Sequence, residues 1–159
     1  MISKTYQLSI IAIILLLLIL FAGYSFYADA QAIERVYAEV DTIDQVSPKL
    51  NFATIIFTLN ITNPSNRDVN DLSSTFDLYI DENDVGDGSF SNLYIPAQSN
   101  TYKQVSMKVH YNEIAKSVID IISNWTQGQN TSVKVKGTMQ ASVLFGLTTA
   151  SHQYIAVSS

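Results

Sequence analysis

The sequence predicts a mainly β protein: a two-sheet antiparallel sandwich with one α-helix, preceded by an apolar N-terminal helix long enough to cross a membrane. Three observations carry this. Residues 8–27 contain no charge, and Ile11 to Phe21 is almost pure Ile and Leu. From Leu50 onward the apolar residues recur at every second position, the period of a half-buried strand. The strands follow one another through short connections with a single helical stretch late in the chain, which argues against a parallel α/β sheet.

The composition bounds the function. Of 159 residues, 47% are apolar and only 14% charged, so the chain is neither disordered nor built for nucleic acid. A net charge of −5 argues further against a polyanionic partner, and nucleic acid is excluded as one. Cysteine is absent, which removes disulfides, thiolate metal sites and a cysteine nucleophile. Beyond the apolar segment about 130 residues remain, enough for one domain with its own core.

Residues 1–7 form a short N-terminal arm carrying Lys4. Residues 8–27 match a bilayer core, because a helix of 20 residues spans about 30 Å. Tyr24 and Tyr27 stand at its end, where aromatic rings favour the membrane interface. Lys4 before the helix and Asp29 and Glu34 after it place the N-terminus in the cytoplasm and the remainder outside, as a single-pass membrane protein whose first partner is the bilayer. Ala28-Asp29-Ala30 has the form recognised by signal peptidase, so cleavage after Ala30 is the alternative; the apolar run exceeds the usual signal-peptide length and favours retention. Residues 28–35 read as a stalk that extends the helix, and residues 36–159 as the domain.

A first strand is expected near Val36–Val46, ended by Pro48. In the next, Asn51, Ala53, Ile55, Phe57, Leu59 and Ile61 share one face, and Phe52, Thr54, Ile56, Thr58 and Asn60 the other. It stops at Asn63-Pro64-Ser65-Asn66, since proline fixes φ and asparagine tolerates turn geometry. Leu72–Ile80 is a strand with Phe76, Leu78 and Ile80 on one face. Asp84-Val85-Gly86-Asp87-Gly88 reads as a turn. A short strand at Ser89–Tyr94 and a long one at Thr101–Tyr111 follow. A helix is expected over Asn112–Trp125, with Asn112 as N-cap, Glu113 in the first turn and Ile114, Val118, Ile121 and Ile122 at helical spacing. Strands at Val133–Val143 and Ser151–Val157 close the chain around a bend at Phe145-Gly146-Leu147.

The stretch Phe57-Thr58-Leu59-Asn60-Ile61-Thr62-Asn63-Pro64-Ser65 resembles the strand-plus-Asn-Pro signature of late embryogenesis abundant group 2 proteins, the WHy (water stress and hypersensitive response) domain. The likeness runs on through Asp77–Ile80, Gly86 and Gly88, Ile95–Ser99, the strand to Tyr111, the helix and Lys134–Gly137. It covers roughly Val36 to Val157, with Asn63 and Pro64 as the motif residues. The resemblance implies a fibronectin-III-like sandwich. It also implies a role in stress or desiccation tolerance, or lipid binding in a groove between sheet and helix. Phe52 and Ile56 are the candidates for such a groove; the plainer reading makes them core between two sheets.

Catalytic chemistry is sparse. His110 and His152 lack the partners of a catalytic or metal-binding pair and read as surface residues. Asp81, Asn83, Asp84 and Asp87 offer oxygen ligands for Ca²⁺, but Val85 and the lack of a terminal bidentate Glu depart from an EF-type loop, so they read as a solvated acidic turn. No cofactor is expected and no enzyme. Asn60, Asn124 and Asn130 head N-glycosylation sequons, which suit an exported domain. Two functional classes stand: a tethered binding or protective module for lipid or envelope proteins, and an envelope or filament subunit assembling through its apolar helix. The oligomeric state stays open between them.

Overall fold

The computed structural model describes residues 4–114, 116–125 and 132–158. It opens with α1 (Lys4–Glu34), followed by β1 (Tyr37–Pro48), β2 (Phe52–Asn63), β3 (Val69–Ile80), β4 (Asn83–Ile95) and β5 (Ser99–His110). Then come α2 (Lys116–Trp125), β6 (Val133–Val143) and β7 (Thr148–Val157). The strands form two sheets, β1-β2-β5 and β4-β3-β6-β7, with every neighbouring pair antiparallel.

The alternation in the sequence sets the core. Ala53, Ile55, Phe57, Leu59 and Ile61 are fully buried from β2, and Leu72, Phe76, Leu78 and Ile80 face them from β3. Phe57 and Phe76 meet across the sheets edge to face, with ring centroids 6.1 Å apart. Val118 and Ile122, one turn apart on α2, are buried in the same core.

Two expected elements differ. The 84–88 stretch is strand, not turn. The β3–β4 hairpin closes one step earlier, at Asp81 and Glu82, both with positive φ (48° and 68°). Gly86 and Gly88 instead let β4 pass close to its neighbours. A Cβ on Gly88 would meet the Phe76 ring at 2.6 Å, and Gly86 holds φ 141° beside a register shift in β3–β4 pairing. The second helix begins at Lys116, later than Asn112. The Glu113 N–H bonds the His110 carbonyl, so residues 111–114 form a turn that closes off β5 before the helix starts.

The first helix is continuous to Glu34, and its 18-residue most apolar window has a mean hydropathy of 2.7. Through residues 8–21 its side chains are exposed all round. From Ala22 onward one face turns inward: Ser25, Ala32 and Ile33 are buried and Ala22 and Asp29 half-buried, with Val36 buried just beyond. The spacing of 22, 25, 29, 32–33 and 36 is that of one helical stripe. The helix is therefore packed onto the sandwich over its last three turns.

Candidate functional site

The site worth building is the junction where helix meets sandwich. Both sheet-to-sheet crossings of the first five strands lie at this end: β2 to β3 through residues 64–68, and β4 to β5 through residues 96–98. Asn63, wholly buried at the end of β2, joins them. Its Nδ2 donates to the Arg67 carbonyl at 2.7 Å and to the Pro96 carbonyl at 3.1 Å, with the Ile95 carbonyl at 3.4 Å. Its Oδ1 accepts from the Ser65 N–H at 3.1 Å and the Ser65 hydroxyl at 2.7 Å. An amide can give two donors and two acceptor lone pairs, so Asn63 is saturated. Pro64 is exposed and contributes by fixing φ and lacking an N–H.

Asp68 extends the network. Its carboxylate accepts from the Ala97 N–H at 2.8 Å and from the Tyr94 hydroxyl at 3.0 Å. That bond holds the Tyr94 proton more tightly and raises its pKa. Arg67 then reaches the helix, its Nη1 lying 2.7 Å from Asp29 Oδ1. The other oxygen of Asp29 accepts the Leu144 N–H at 3.0 Å, from the turn between β6 and β7. One helical carboxylate thus clamps two loops that arrive from different parts of the chain. The clamp borders a cleft of about 490 Å³ lined by Ser25, Asp29, Arg67, Asp71, Ser142 and Phe145, among others.

The remaining predicted residues lie elsewhere. Phe52 and Ile56 are half-buried on the outer face of the β1-β2-β5 sheet and do not join the core cluster between the sheets. Phe52 packs against His110, centroids 6.0 Å apart, with Lys108 Nζ 5.5 Å from its ring centre. Ile56 pairs in register with Ser106 and Gln45. Asn60 is half-exposed on the same face and accepts from Asn100 Nδ2 at 2.9 Å. Asn124 falls in the last turn of α2, and Asn130 lies outside the described residues. Asn83 donates to the Ile80 and Asp81 carbonyls, and Asp84 accepts from the Gly86 N–H. Among the described residues no group of three or more His, Cys, Asp or Glu could hold a metal ion.

Sequence reasoning missed two features. The first is the inward stripe on the end of α1, which small residues conceal within an apolar run. The second is Asp44, at a bulge in β1, which ties three strands on the outer face. It accepts from Thr42 and Thr58 at 2.7 Å and from Gln104 at 3.0 Å. The Thr58 bond, then those of Thr42 and Gln104, lower its pKa.

The geometry defines an antiparallel β-sandwich carried on an apolar helix and clamped to it by part-buried polar contacts. The model of the family described as late embryogenesis abundant protein matches residues 58–152, and the chain belongs to that family. No curated protein matches. Among solved structures, the chain is similar to a solution structure from Arabidopsis thaliana, with 9% identity, 77% of this chain and 78% of that one covered, and a TM-score of 0.44. A solution structure described as a late embryogenesis abundant protein has 11% identity, 92% and 82% coverage and a TM-score of 0.44. A crystal structure from Archaeoglobus fulgidus has 12% identity, 78% and 92% coverage and a TM-score of 0.39.

Proposed function

We propose that the chain is a membrane-tethered protective module of the WHy type, non-enzymatic, which holds its sandwich outside the cytoplasm against the surface of the bilayer that anchors it. Family membership supports a stress- or desiccation-related role without catalysis. The observation that carries the tethering is α1 itself. Its apolar side chains at Leu8 and from Ile10 to Phe21 are exposed all round, and burying them in acyl chains removes about 25 cal/mol for each Å² taken from water. A core helix of a soluble protein would have a partner for that surface.

Retention of the helix is supported by its docking. Cleavage after Ala30 would cut within continuous helix and would sever the Asp29 contacts to Arg67 and Leu144. The thin charge bias about the helix supports the outside placement of the domain.

During drying, a rigid polar sandwich held at the headgroups would keep neighbouring bilayers apart and replace lost water with its own hydrogen-bonding groups. The outer face of the β1-β2-β5 sheet, with Asp44, Thr42, Thr58 and Gln104, is rich in such groups. The test is dye retention by phosphatidylcholine vesicles that carry the full chain, dried and rehydrated. Higher retention than in protein-free vesicles, or in vesicles carrying an α1 peptide alone, is the expected result. Equal leakage in all three would refute protection. Protease added outside intact cells should remove the domain; a domain that resists until lysis would refute the orientation.

A further inference from the structure

The turn between β6 and β7 carries two large apolar side chains that are mostly open to solvent. Phe145 and Leu147 are each 80% exposed. The backbone works to present them: Leu144, Phe145 and Gly146 hold φ of 51°, 57° and 84° in succession, a left-handed run that bulky residues rarely enter. Hydrogen bonds from Gly146 N–H to Val143 O and from Leu147 N–H to Leu144 O close the turn.

The position of this turn gives it a partner. Leu144 is clamped to Asp29, and Phe145 and Gly146 border the same cleft as Ser25. Ser25 is buried although it lies one turn nearer the membrane than Asp29. Four residues of helix correspond to about 6 Å along the axis. The hairpin therefore reaches back along α1, to the level of Ser25, between Tyr24 and Tyr27, which are 67% and 61% exposed. Those tyrosines end the uncharged segment, where aromatic side chains settle at the headgroup boundary. Asp29, Asp68 and Asp71 outnumber Arg67 around the cleft, so the surface lacks the basic cluster that reads anionic lipid.

We infer that the Phe145-Gly146-Leu147 tip is a second membrane contact, dipping into the interfacial layer beside α1 and fixing the sandwich at one height and orientation on the bilayer. The inference rests on the reading of α1 as a membrane-spanning helix. The occupant is the lipid of the same leaflet, recognised by apolar burial and not by charge.

The chain has no cysteine, so single reporters can be placed freely. The full chain is reconstituted in phosphatidylcholine vesicles with an environment-sensitive fluorophore at Phe145→Cys, at Leu147→Cys, at Leu15→Cys within α1, or at Leu50→Cys, 91% exposed in the β1–β2 turn at the opposite end of the sandwich. Quenching is read with headgroup-level and deep nitroxide lipids. The expected result is deep quenching at position 15, several-fold stronger headgroup-level quenching at 145 and 147 than at 50, and no strengthening when anionic lipid is added. If position 15 is quenched but 145 and 147 match position 50, the anchor stands and the inference is overturned. If position 15 is not quenched, both fall. Quenching at the tip that disappears when the protein is diluted in lipid would mark a contact between copies of the chain and would also overturn it. Two tip positions keep the test sound should one variant misfold, which circular dichroism would reveal.

Discussion

Replacing Asn63 tests whether the motif residue is a structural staple between the two sheets. Asn63→Ala removes four good hydrogen bonds, to Arg67 O, Pro96 O, Ser65 N and Ser65 Oγ. At about 1 kcal/mol net each, the upper figure is roughly 4 kcal/mol. Some partners keep another bond. Arg67 O still accepts from Ser65 Oγ, and Pro96 O still accepts from Ser99 Oγ. The Ser65 N–H is the group left without its acceptor in a buried place. The expected loss is therefore about 2–3 kcal/mol, which lowers the midpoint of a domain this size by roughly 10 °C. Asn63→Asp separates hydrogen bonding from shape. It keeps the acceptor but points a second oxygen at the Arg67 and Pro96 carbonyls, so the carboxyl's pKa in the fold is raised. The folded state then binds more protons than the unfolded one, and stability falls as pH rises through the unfolded value near ~3.9 toward the raised one. Urea unfolding of the full chain in detergent, followed by circular dichroism from pH 4 to 8, reads both. An alanine variant within about 0.5 kcal/mol of the parent, or an aspartate variant with no such pH slope, would refute the staple.

Three further outcomes follow from contacts elsewhere in the fold. A Cβ at Gly137 would clash with the Thr75 carbonyl and lie 2.9 Å from Phe76 Cα, so Gly137→Ala should cost about 3 kcal/mol or prevent soluble folding, whereas Gly23→Ala, on the open face of α1, should cost nothing because alanine is the better helix former; thermal unfolding compares the two. Tyr154 is buried, and burial pushes its hydroxyl up from 10.0 to about 12 against the opposing bond from Ser74. The folded state holds that proton longer, so stability present below pH 10 is lost as pH climbs toward 12, by at most roughly 2.7 kcal/mol, and Tyr154→Phe should flatten that limb of a stability–pH curve. Asp29→Ala frees both loops from α1; the pair is partly exposed, so the cost is about 1–2 kcal/mol, seen as faster hydrogen exchange of the Leu144 amide while core amides of β2 stay protected.

The sandwich was legible because its signal is periodic. Every apolar residue that the period groups on one face of β2 from Ala53 to Ile61 is buried, and the Asn63-Pro64 stop falls at the strand's last residue. The 84–88 stretch reads as a turn but folds as strand because glycine has two uses. Gly86 and Gly88 looked like turn residues, yet Gly88 serves the close approach of the Phe76 ring, while Asp81 and Glu82 take up the left-handed angles usually given to Asn-Gly. The period puts Phe52 and Ile56 together on the second face of β2, but the plainer reading of them as core between two sheets does not hold: that face turns away from the other sheet, which is a tertiary fact. The junction was the least legible part. Asp29, Arg67 and Leu144 are far apart in sequence, and no local pattern announces that one carboxylate serves both loops.

The junction also decides what kind of tether α1 would be in the proposed membrane role. A flexible stalk would let the domain sample all orientations and would make any membrane contact a chance encounter. Here the helix continues into the domain without a break, and its inward residues are small or apolar where the hairpin passes: Ala22, Ser25, Ala32 and Ile33. Small residues permit close backbone approach, and the Asp29 clamp then fixes azimuth as well as distance. With α1 in a bilayer as proposed, tilt of the helix would be transmitted to the sandwich as a rigid rotation. Pro64, Gln98 and Phe145, all on turns at this end, would swing together toward or away from the headgroups. Breaking the clamp with Asp29→Ala should leave α1 in the membrane and the core of the sandwich folded, yet abolish the difference in headgroup-level quenching between positions 145 and 50. A difference that survives would mean the tip holds to the lipid by its own apolar surface and needs no orientation from the helix.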